Sequence, residues 1–316
     1  MRVDLSGLLL VVLVACGAEK SGSDSGTPTD TDTDTETPTV GYPTHSASSP
    51  TTPTGSTAYS SSYSSSCSSY STPDHSGYYI CGRPLVVDGV HRAPAAGTAG
   101  WTTPVTPSGG DAESAAAWLR QGLDEHASIG SFARFTLDLL AVGAPAELVA
   151  LAQQAAADEV VHARLCFGLA AALGGGTPGP GPLVLPAVPP CSGLAELAVR
   201  TLLEGCLNET VATAVAIAQR TTTDDPELVR VFDTLIADES RHAALAWKTV
   251  AWALRVGGPE VRLAVQQGLA SWRPTVAPTG RTVSACGWLS DADQLAVVER
   301  AHREVVAPAA QVLLAA

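Results

Sequence analysis

The stretch Ala157-Asp158-Glu159-Val160-Val161-His162-Ala163 returns eighty positions later as Ala237-Asp238-Glu239-Ser240-Arg241-His242-Ala243, so Ala-Asp-Glu-x-x-His-Ala occurs twice in the chain. On a helix, residues i and i+3 project from one side a turn apart, so each copy offers one carboxylate and one imidazole to a common point. Two such helices facing each other can hold metal. A bare Glu-x-x-His match is cheap. Indeed a third copy, Glu299-x-x-His302, sits on a stretch with no matching partner and reads as a solvated polar face. The shared flanking Ala and Asp set the first two apart.

Working outward, the pattern around both copies is helical. A first helix is expected from about Asp111 to Val142, with apolar residues at Trp118, Leu123, Ile129, Phe132, Phe135, Leu139 and Leu140. Gly143-Ala144-Pro145 breaks it, and Pro145 suits the first turn of a second helix that runs to the glycines at 174 to 176. Ser192 can cap a third, lasting to about Arg220, and Asp225-Pro226 opens a fourth that ends at Gly257-Gly258. Short connections force antiparallel neighbours, whereas the Gly- and Pro-rich linker from Gly174 to Cys191 reaches roughly 55 to 60 Å if extended. The expected fold class is therefore all-α: a four-helix bundle of two hairpins joined by one long crossover. Further helices from about Pro259 to Trp272 and Ser290 to Leu314 flank it. Before the bundle, Asp88-Gly89 between apolar residues predicts a small hairpin.

A site for two metal ions in such a bundle asks for one more glutamate from each of the other two helices. The first helix supplies Glu125; the third offers Glu204 and Glu209. Ligands on an antiparallel hairpin lie at equal distances from the turn. The first hairpin gives 159 − 125 = 34, and the second gives 239 − 204 = 35 for Glu204 against 239 − 209 = 30 for Glu209. Depth thus favours Glu204. Glu209 lies about 140° around an α-helix from Glu204 and reaches the same point only if the helix carries a π-bulge, so it stands as a supplementary or supporting residue.

The set Glu125, Glu159-x-x-His162, Glu204 and Glu239-x-x-His242 resembles the ferritin-like di-iron carboxylate proteins, a superfamily that includes ferritins, rubrerythrins, manganese catalases and di-iron hydroxylases. The resemblance covers about residues 111 to 256. It implies two iron ions, or manganese, with Glu159 and Glu239 bridging and Glu125 and Glu204 terminal, and with Asp158 and Asp238 hydrogen-bonding the ligand histidines. It also implies an oxidoreductase that activates O2 or reduces peroxide with an unnamed reductant. A non-caged ferroxidase or iron-binding protein, and a non-catalytic scaffold with a relic site, are the alternatives. His126, beside Glu125, points about 100° away and reads as surface. Cys166 reads as core, as do Phe132 and Phe232, which stand seven residues from Glu125 and Glu239 and can wall an oxygen pocket. All six tyrosines precede residue 80, so any redox relay inside the bundle falls to tryptophan.

At the N-terminus, Arg2, the short apolar run Leu8 to Val14 and Leu13-Val14-Ala15-Cys16 resemble a bacterial lipoprotein signal. That implies cleavage before Cys16, acylation of Cys16 and a lipid-anchored protein of the cell envelope; Gly17 points to the outer rather than the inner membrane. From Gly17 to about Tyr78 the chain is Ser, Thr, Pro, Asp and Tyr with almost no aliphatic residue, which reads as a solvated tether. The expected organisation is a signal peptide at 1–15, tether at 16–78, accessory hairpin at 79–110, bundle at 111–256 and helical extension at 257–316. Net charge is −13 with no basic cluster, which argues against a nucleic-acid partner. Apart from Cys16, six cysteines suit an oxidising compartment, with Cys67–Cys81 and Cys191–Cys286 as pairings to test.

Overall fold

The computed structural model describes residues 3–17, 82–88, 90–98, 100–273, 279–282 and 287–315. One compact unit comprises Met1–Glu19 and Cys67–Ala316; the other, Lys20–Ser66, lies outside the described residues, as does nearly all of the expected tether. The described chain is mainly helical. Its helices are α1 (Ser6–Ala15), α2 (Ala112–Ala141), α3 (Ala146–Gly174), α4 (Leu194–Arg200), α5 (Thr210–Arg220), α6 (Pro226–Ser271), α7 (Asp291–Ala301) and α8 (Ala307–Ala315). Two π-helical segments interrupt this series: Thr201–Glu209 joins α4 to α5, and His302–Val306 joins α7 to α8.

Local chemistry starts these helices where the sequence expects. The Asp111 carboxylate accepts from Ser114 N at 2.7 Å, and Asp225 accepts from Glu227 N and Leu228 N just ahead of Pro226. Ser192 acts differently from a simple cap. Its hydroxyl donates to Glu196 at 2.6 Å, and the helix begins two residues on at Leu194. At Gly257-Gly258 the expected break is present, and Pro259 opens a second helical stretch beyond it. Gly258 takes φ 64° and ψ −158°, outside helical geometry, so α6 consists of two helical stretches that meet at this kink, the second ending at Ser271.

Helices α2 and α3 form one hairpin; α4, the first π-helical segment and α5 pack on α6 to form the second, and α3 meets α6 between them. Three apolar clusters fill the interior. Phe132, Phe135, Leu148 and Leu197 lie at one end, Trp118, Cys166, Leu169 and Phe232 at the other, and Trp247, Val250 and Val265 back the second hairpin. Most of the periodic apolar residues expected in α2 turn inward, but Leu140 is 59% exposed. The expected hairpin exists as β1 (Val86–Val87) and β2 (Val90–His91), paired antiparallel around Asp88 at φ 53°. A second small ladder, β3 (Ala96–Gly97) with β4 (Gly179–Pro180), ties the long crossover to the segment preceding the bundle.

Helix α1 packs on α6 and the C-terminal helices, burying Val3, Leu5, Leu8, Val12, Ala15 and Cys16; the Cys16 thiol lies 3.8 Å from the Ala309 carbonyl. Among the described residues, no helix is long and apolar enough to cross a membrane. Cys191 is not half of a disulfide. Its thiol lies 3.8 Å from the Asp138 carbonyl, and its backbone N–H donates to the Asp138 carboxylate at 2.7 Å. Its suggested partner Cys286, and both members of the Cys67–Cys81 pair, lie outside the described residues.

The segment leading into α2 lies directly on α3, where Thr103 N donates to Arg164 O at 3.0 Å. A Cβ at Gly168 would stand 2.0 Å from the Thr103 carbonyl oxygen, a backbone atom that cannot swing aside. Gly168→Ala is therefore expected to destabilise the fold by about 1–3 kcal/mol despite alanine's better helix propensity. Urea denaturation of the purified variant checks this, and an unchanged midpoint would show that the segment is loosely held.

Candidate metal centre

The two copies of Asp-Glu-x-x-His meet across the α3–α6 contact. Glu159 and His162 come from α3, Glu239 and His242 from α6, and all four are buried. The Nδ1 atom of His162 lies 3.5 Å from Glu159 and 3.4 Å from Glu239; that of His242 lies 3.3 Å from Glu159 and 3.4 Å from Glu239. Each glutamate turns a different oxygen to each imidazole, so both straddle two adjacent positions. Glu125 from α2 closes the His162 side, with one oxygen 4.0 Å from Nδ1. Donor atoms of Glu125, Glu159, His162 and Glu239 fall within 4.8 Å of one another, as do those of Glu209, Glu239 and His242. Two neighbouring lobes thus share Glu239.

Glu204 is not in this cluster, contrary to the depth argument. Arg134 of α2 grips both of its oxygens at 2.9 Å, and Nε of buried Arg83 stands 3.8 Å away. Glu209 takes the place expected of the third helix's ligand instead. The physical reason is the π-helical segment Thr201–Glu209: where backbone bonds run i→i+5, residues five apart share a face as residues four apart do in an α-helix. Glu204 and Glu209 therefore both face inward, one turn apart. Arg83 was absent from the sequence reading, since a lone arginine before a hairpin carries no spacing signal.

The outer groups cross between helices. The Nε2 atom of His162 stands 3.0 Å from Asp238, and that of His242 stands 3.3 Å from Asp158. Each aspartate thus serves the histidine of the other copy. With Nε2–H donated to a carboxylate, Nδ1 keeps its lone pair turned to the cluster. Arg241 reaches both aspartates, and Gln154 donates to Asp158 at 2.9 Å. Burial would raise the Asp158 pKa, but the bond from His242, with those from Gln154 and Arg241, draws it to about 2.

Other sequence candidates fall outside. His126 packs edge-on against Trp101 at 4.9 Å, and burial lowers its pKa. His302 stacks on Trp272 at 5.3 Å, away from the cluster. Phe132 lies against the His242 ring at 5.0 Å, and Phe232 lines a cavity that reaches Glu125 and Glu239.

Buried groups without partners are costly, so they test whether the residues fit a metal pair. Glu125 Oε2, both oxygens of Glu159 and Glu209, Glu239 Oε2 and the Nδ1 atoms of His162 and His242 all lack a hydrogen-bond partner of good geometry. Every one is a ligand-type atom of the two neighbouring donor groups, and the buried Glu/His groups can hold metal ions. No family model, curated protein or solved structure matches the chain.

Protons fill the cluster when cations do not. Burial, reinforced by Glu159, raises the Glu125 pKa well above the carboxylate range; burial, reinforced by Glu239, does the same for Glu209. Burial would raise Glu159 and Glu239 too, but the two imidazoles facing them bring both below their ordinary value. His162 and His242 would be lowered by burial, yet the surrounding carboxylates raise both well above 6.5. The shifts run toward charge balance: protons are held more tightly on Glu125, Glu209 and both imidazoles, and less tightly on Glu159 and Glu239. Two divalent cations would displace protons from these groups and offset the four carboxylates. Binding of a divalent pair is expected to release protons and to tighten as pH rises. Because the folded metal-free chain binds these protons more tightly than the unfolded chain, its stability should fall as pH rises, from about 4.5 upward through Glu125 and Glu209 and from about 6.5 upward through the two imidazoles. Calorimetry in buffers of different ionisation enthalpy and melting curves from pH 6 to 9 check both; pH-independent binding would show that these groups do not hold the metal.

Proposed function

We propose that this chain is a ferritin-like, dinuclear metal-carboxylate oxidoreductase of the cell envelope, with Glu125, Glu159, His162, Glu209, Glu239 and His242 as the ligand set. The observation that carries the reading is the gathering of unpartnered carboxylate oxygens and imidazole Nδ1 atoms from both hairpins into two adjoining buried groups that share Glu239. Carboxylate and imidazole ligands without thiolate suit iron or manganese and disfavour copper electron-transfer chemistry. Two hairpins with one long crossover are the arrangement in which such sites are built.

A bound pair of iron or manganese ions would supply two electrons to O2 or peroxide. The protein's own part is orientation, exclusion of water and proton custody. Cross-bonding by Asp158 and Asp238 fixes the tautomer of both imidazoles. Gly82, at φ +83°, brings backbone against the cluster: a Cβ there would lie 3.8 Å from Glu239 Oε1 and 4.0 Å from Glu125 Oε2. This strap, pinned where Ser128 Oγ donates to Arg83 O at 2.9 Å, shields that edge from bulk water. Glu125, held by Gln121 at 2.6 Å, and Glu209 have raised pKa values and so can hold protons for a reduced oxygen species.

Export and lipidation complete the reading, on the strength of the Leu13-Val14-Ala15-Cys16 sequence. In the mature chain the residues from Cys16 to about 78 would link an acylated N-terminus to the folded unit.

Metal analysis tests the centre. Protein prepared with iron is expected to hold two ions per chain. Glu209→Gln should lower this to about one, Glu159→Ala or His242→Ala should abolish tight binding, and Glu204→Gln should leave two. Metal-free protein of unchanged stability across all variants would favour a scaffold. Iron-loaded wild type exposed to O2 should develop an absorption band that Glu159→Ala lacks. For the anchor, Cys16→Ala is expected to move the protein from the membrane to the soluble fraction; unchanged fractionation would remove the lipid from the account.

A further inference from the structure

Processing at Cys16 makes two demands on the chain. Cleavage adds water across the Ala15–Cys16 peptide, which must lie extended in a peptidase cleft to be cut. Acylation moves a lipid group from a phospholipid donor to the Cys16 sulfur, whose proton passes to the leaving group, so the thiol must be exposed and able to ionise. The folded unit withholds both. Cys16 N donates to Val12 O at 3.1 Å, so the bond to be cut closes the last turn of α1. Ala15 and Cys16 are 7% and 3% exposed, and the thiol lies 3.8 Å from the Ala309 carbonyl of α8. Burial pushes its pKa up to about 12, which leaves almost no thiolate to react.

The rest of the leader is seated as firmly. Leu8 to Val14 is apolar without a break, so nothing in the run itself distinguishes one side from another. In the folded unit Leu5, Leu8, Val12 and Ala15 make a buried stripe at steps of three and four, and α1 packs along it on α5, α6, the second π-helical segment and α8. Leu10 and Val14, on the other side, are 62% and 61% exposed. The stripe shares one apolar cluster with Val265 of α6, Val297 of α7, Val305 and Leu313 of α8. The start of the helix is fixed too. Asp4 accepts from Ser6 N at 2.9 Å, and Val3 and Leu5 face Val297 and Arg300 of α7 across a small cavity. A segment whose composition suits a bilayer is thereby built into the protein's own core.

We infer that the docked leader is an autoinhibitory contact: once the helical unit has closed around α1, the Ala15–Cys16 bond is not cleaved and Cys16 is not acylated, so leader docking and lipid anchoring are alternative fates of one chain. The contact presupposes the lipid anchor proposed above and sets an order of events on it, in which processing precedes folding. A chain that folds first keeps α1 and carries the same Glu/His cluster without a lipid, because none of the cluster's residues comes from α1.

Maleimide labelling of the full chain, read by mass on the peptide that contains Cys16, measures docking. Folded wild type is expected to label there about a hundredfold more slowly than the chain in urea, because the thiol reacts only when α1 lifts away. Leu8→Asp, on the seated face, should speed labelling of the folded chain about tenfold or more, since a carboxylate cannot be buried there without a partner. Leu10→Asp, in the same leader but facing outward, should leave the rate unchanged. Detergent-solubilised bacterial membranes then supply the processing enzymes. Precursor diluted into them straight from urea should be cleaved before Cys16 and acylated, and precursor refolded beforehand should resist both. Equal labelling of folded and unfolded chains, equal effects of the two aspartates, or full-rate processing of refolded precursor would each overturn the contact. Precursor left unprocessed even straight from urea would defeat the lipid anchor itself, a failure that the labelling ratio tells apart from a leader that does not dock.

Discussion

Four carboxylates buried at one point set the terms for the rest of the molecule. Isolated charges of one sign cannot stay ionised at such density away from water, and each would cost several kcal/mol to bury alone. The cluster meets this by neutrality in either of two fillings. Burial and like charge favour protons on Glu125 and Glu209, the carboxylates favour protons on His162 and His242, and a pair of divalent cations would balance all four carboxylates. Either filling offsets the buried negative charge, so the surrounding apolar clusters would not need to move if protons gave way to metal. This is why a centre rich in acid can sit between Phe132 and Phe232 rather than at the surface.

The same constraint explains Glu204. A fifth inward carboxylate one turn from Glu209 would break the balance, and two arginines answer it. Arg134 comes from α2 and takes both oxygens; Arg83 comes from the strap ahead of the bundle, with its guanidinium 4.1 Å from the centre of the Phe135 ring. Because Arg83 is 1% exposed and adjoins Gly82, the residue that neutralises the spare acid also holds the backbone against the edge of the cluster. Electrostatic repair and closure of the site are one structural act. The segment read from sequence as an accessory is therefore part of the wall.

Much of this was legible in the residues, and the failures have a common cause. The doubled Ala-Asp-Glu-x-x-His-Ala motif, Gly143-Ala144-Pro145 and Asp225-Pro226 announce their helices because caps, breakers and i,i+3 pairs act within a turn or two. Asp88-Gly89 does the same for its hairpin. Choosing Glu204 over Glu209 needed a count along a whole helix. That count assumed uniform α-geometry, and a nine-residue π-helical run breaks the assumption without any local signature in Thr201-Leu202-Leu203-Glu204-Gly205-Cys206-Leu207-Asn208-Glu209. Gly205 supplies only a hint: a Cβ there would stand 2.4 Å from that of Ala246, so the wide turn also lies unusually close to α6. Cys191 and the β3–β4 ladder were missed for a related reason, since both depend on which distant segment the crossover meets.

The repeat itself carries a further consequence once its geometry is known. If each copy supported its own histidine, either half of the bundle could hold an organised lobe alone. Instead Asp158 of α3 bonds His242 of α6, Asp238 of α6 bonds His162 of α3, and Glu159 and Glu239 each face both imidazoles. The arrangement has the character of a local two-fold axis between two helices of one chain. Arg241 spans it by binding both aspartates from one side. Neither copy is complete without the other, so the metal-ready state of each lobe depends on the packing of α3 against α6. A loosening of that contact would misplace both imidazoles together, which makes the pair of lobes, rather than the single Glu-x-x-His unit, the element that the fold stabilises.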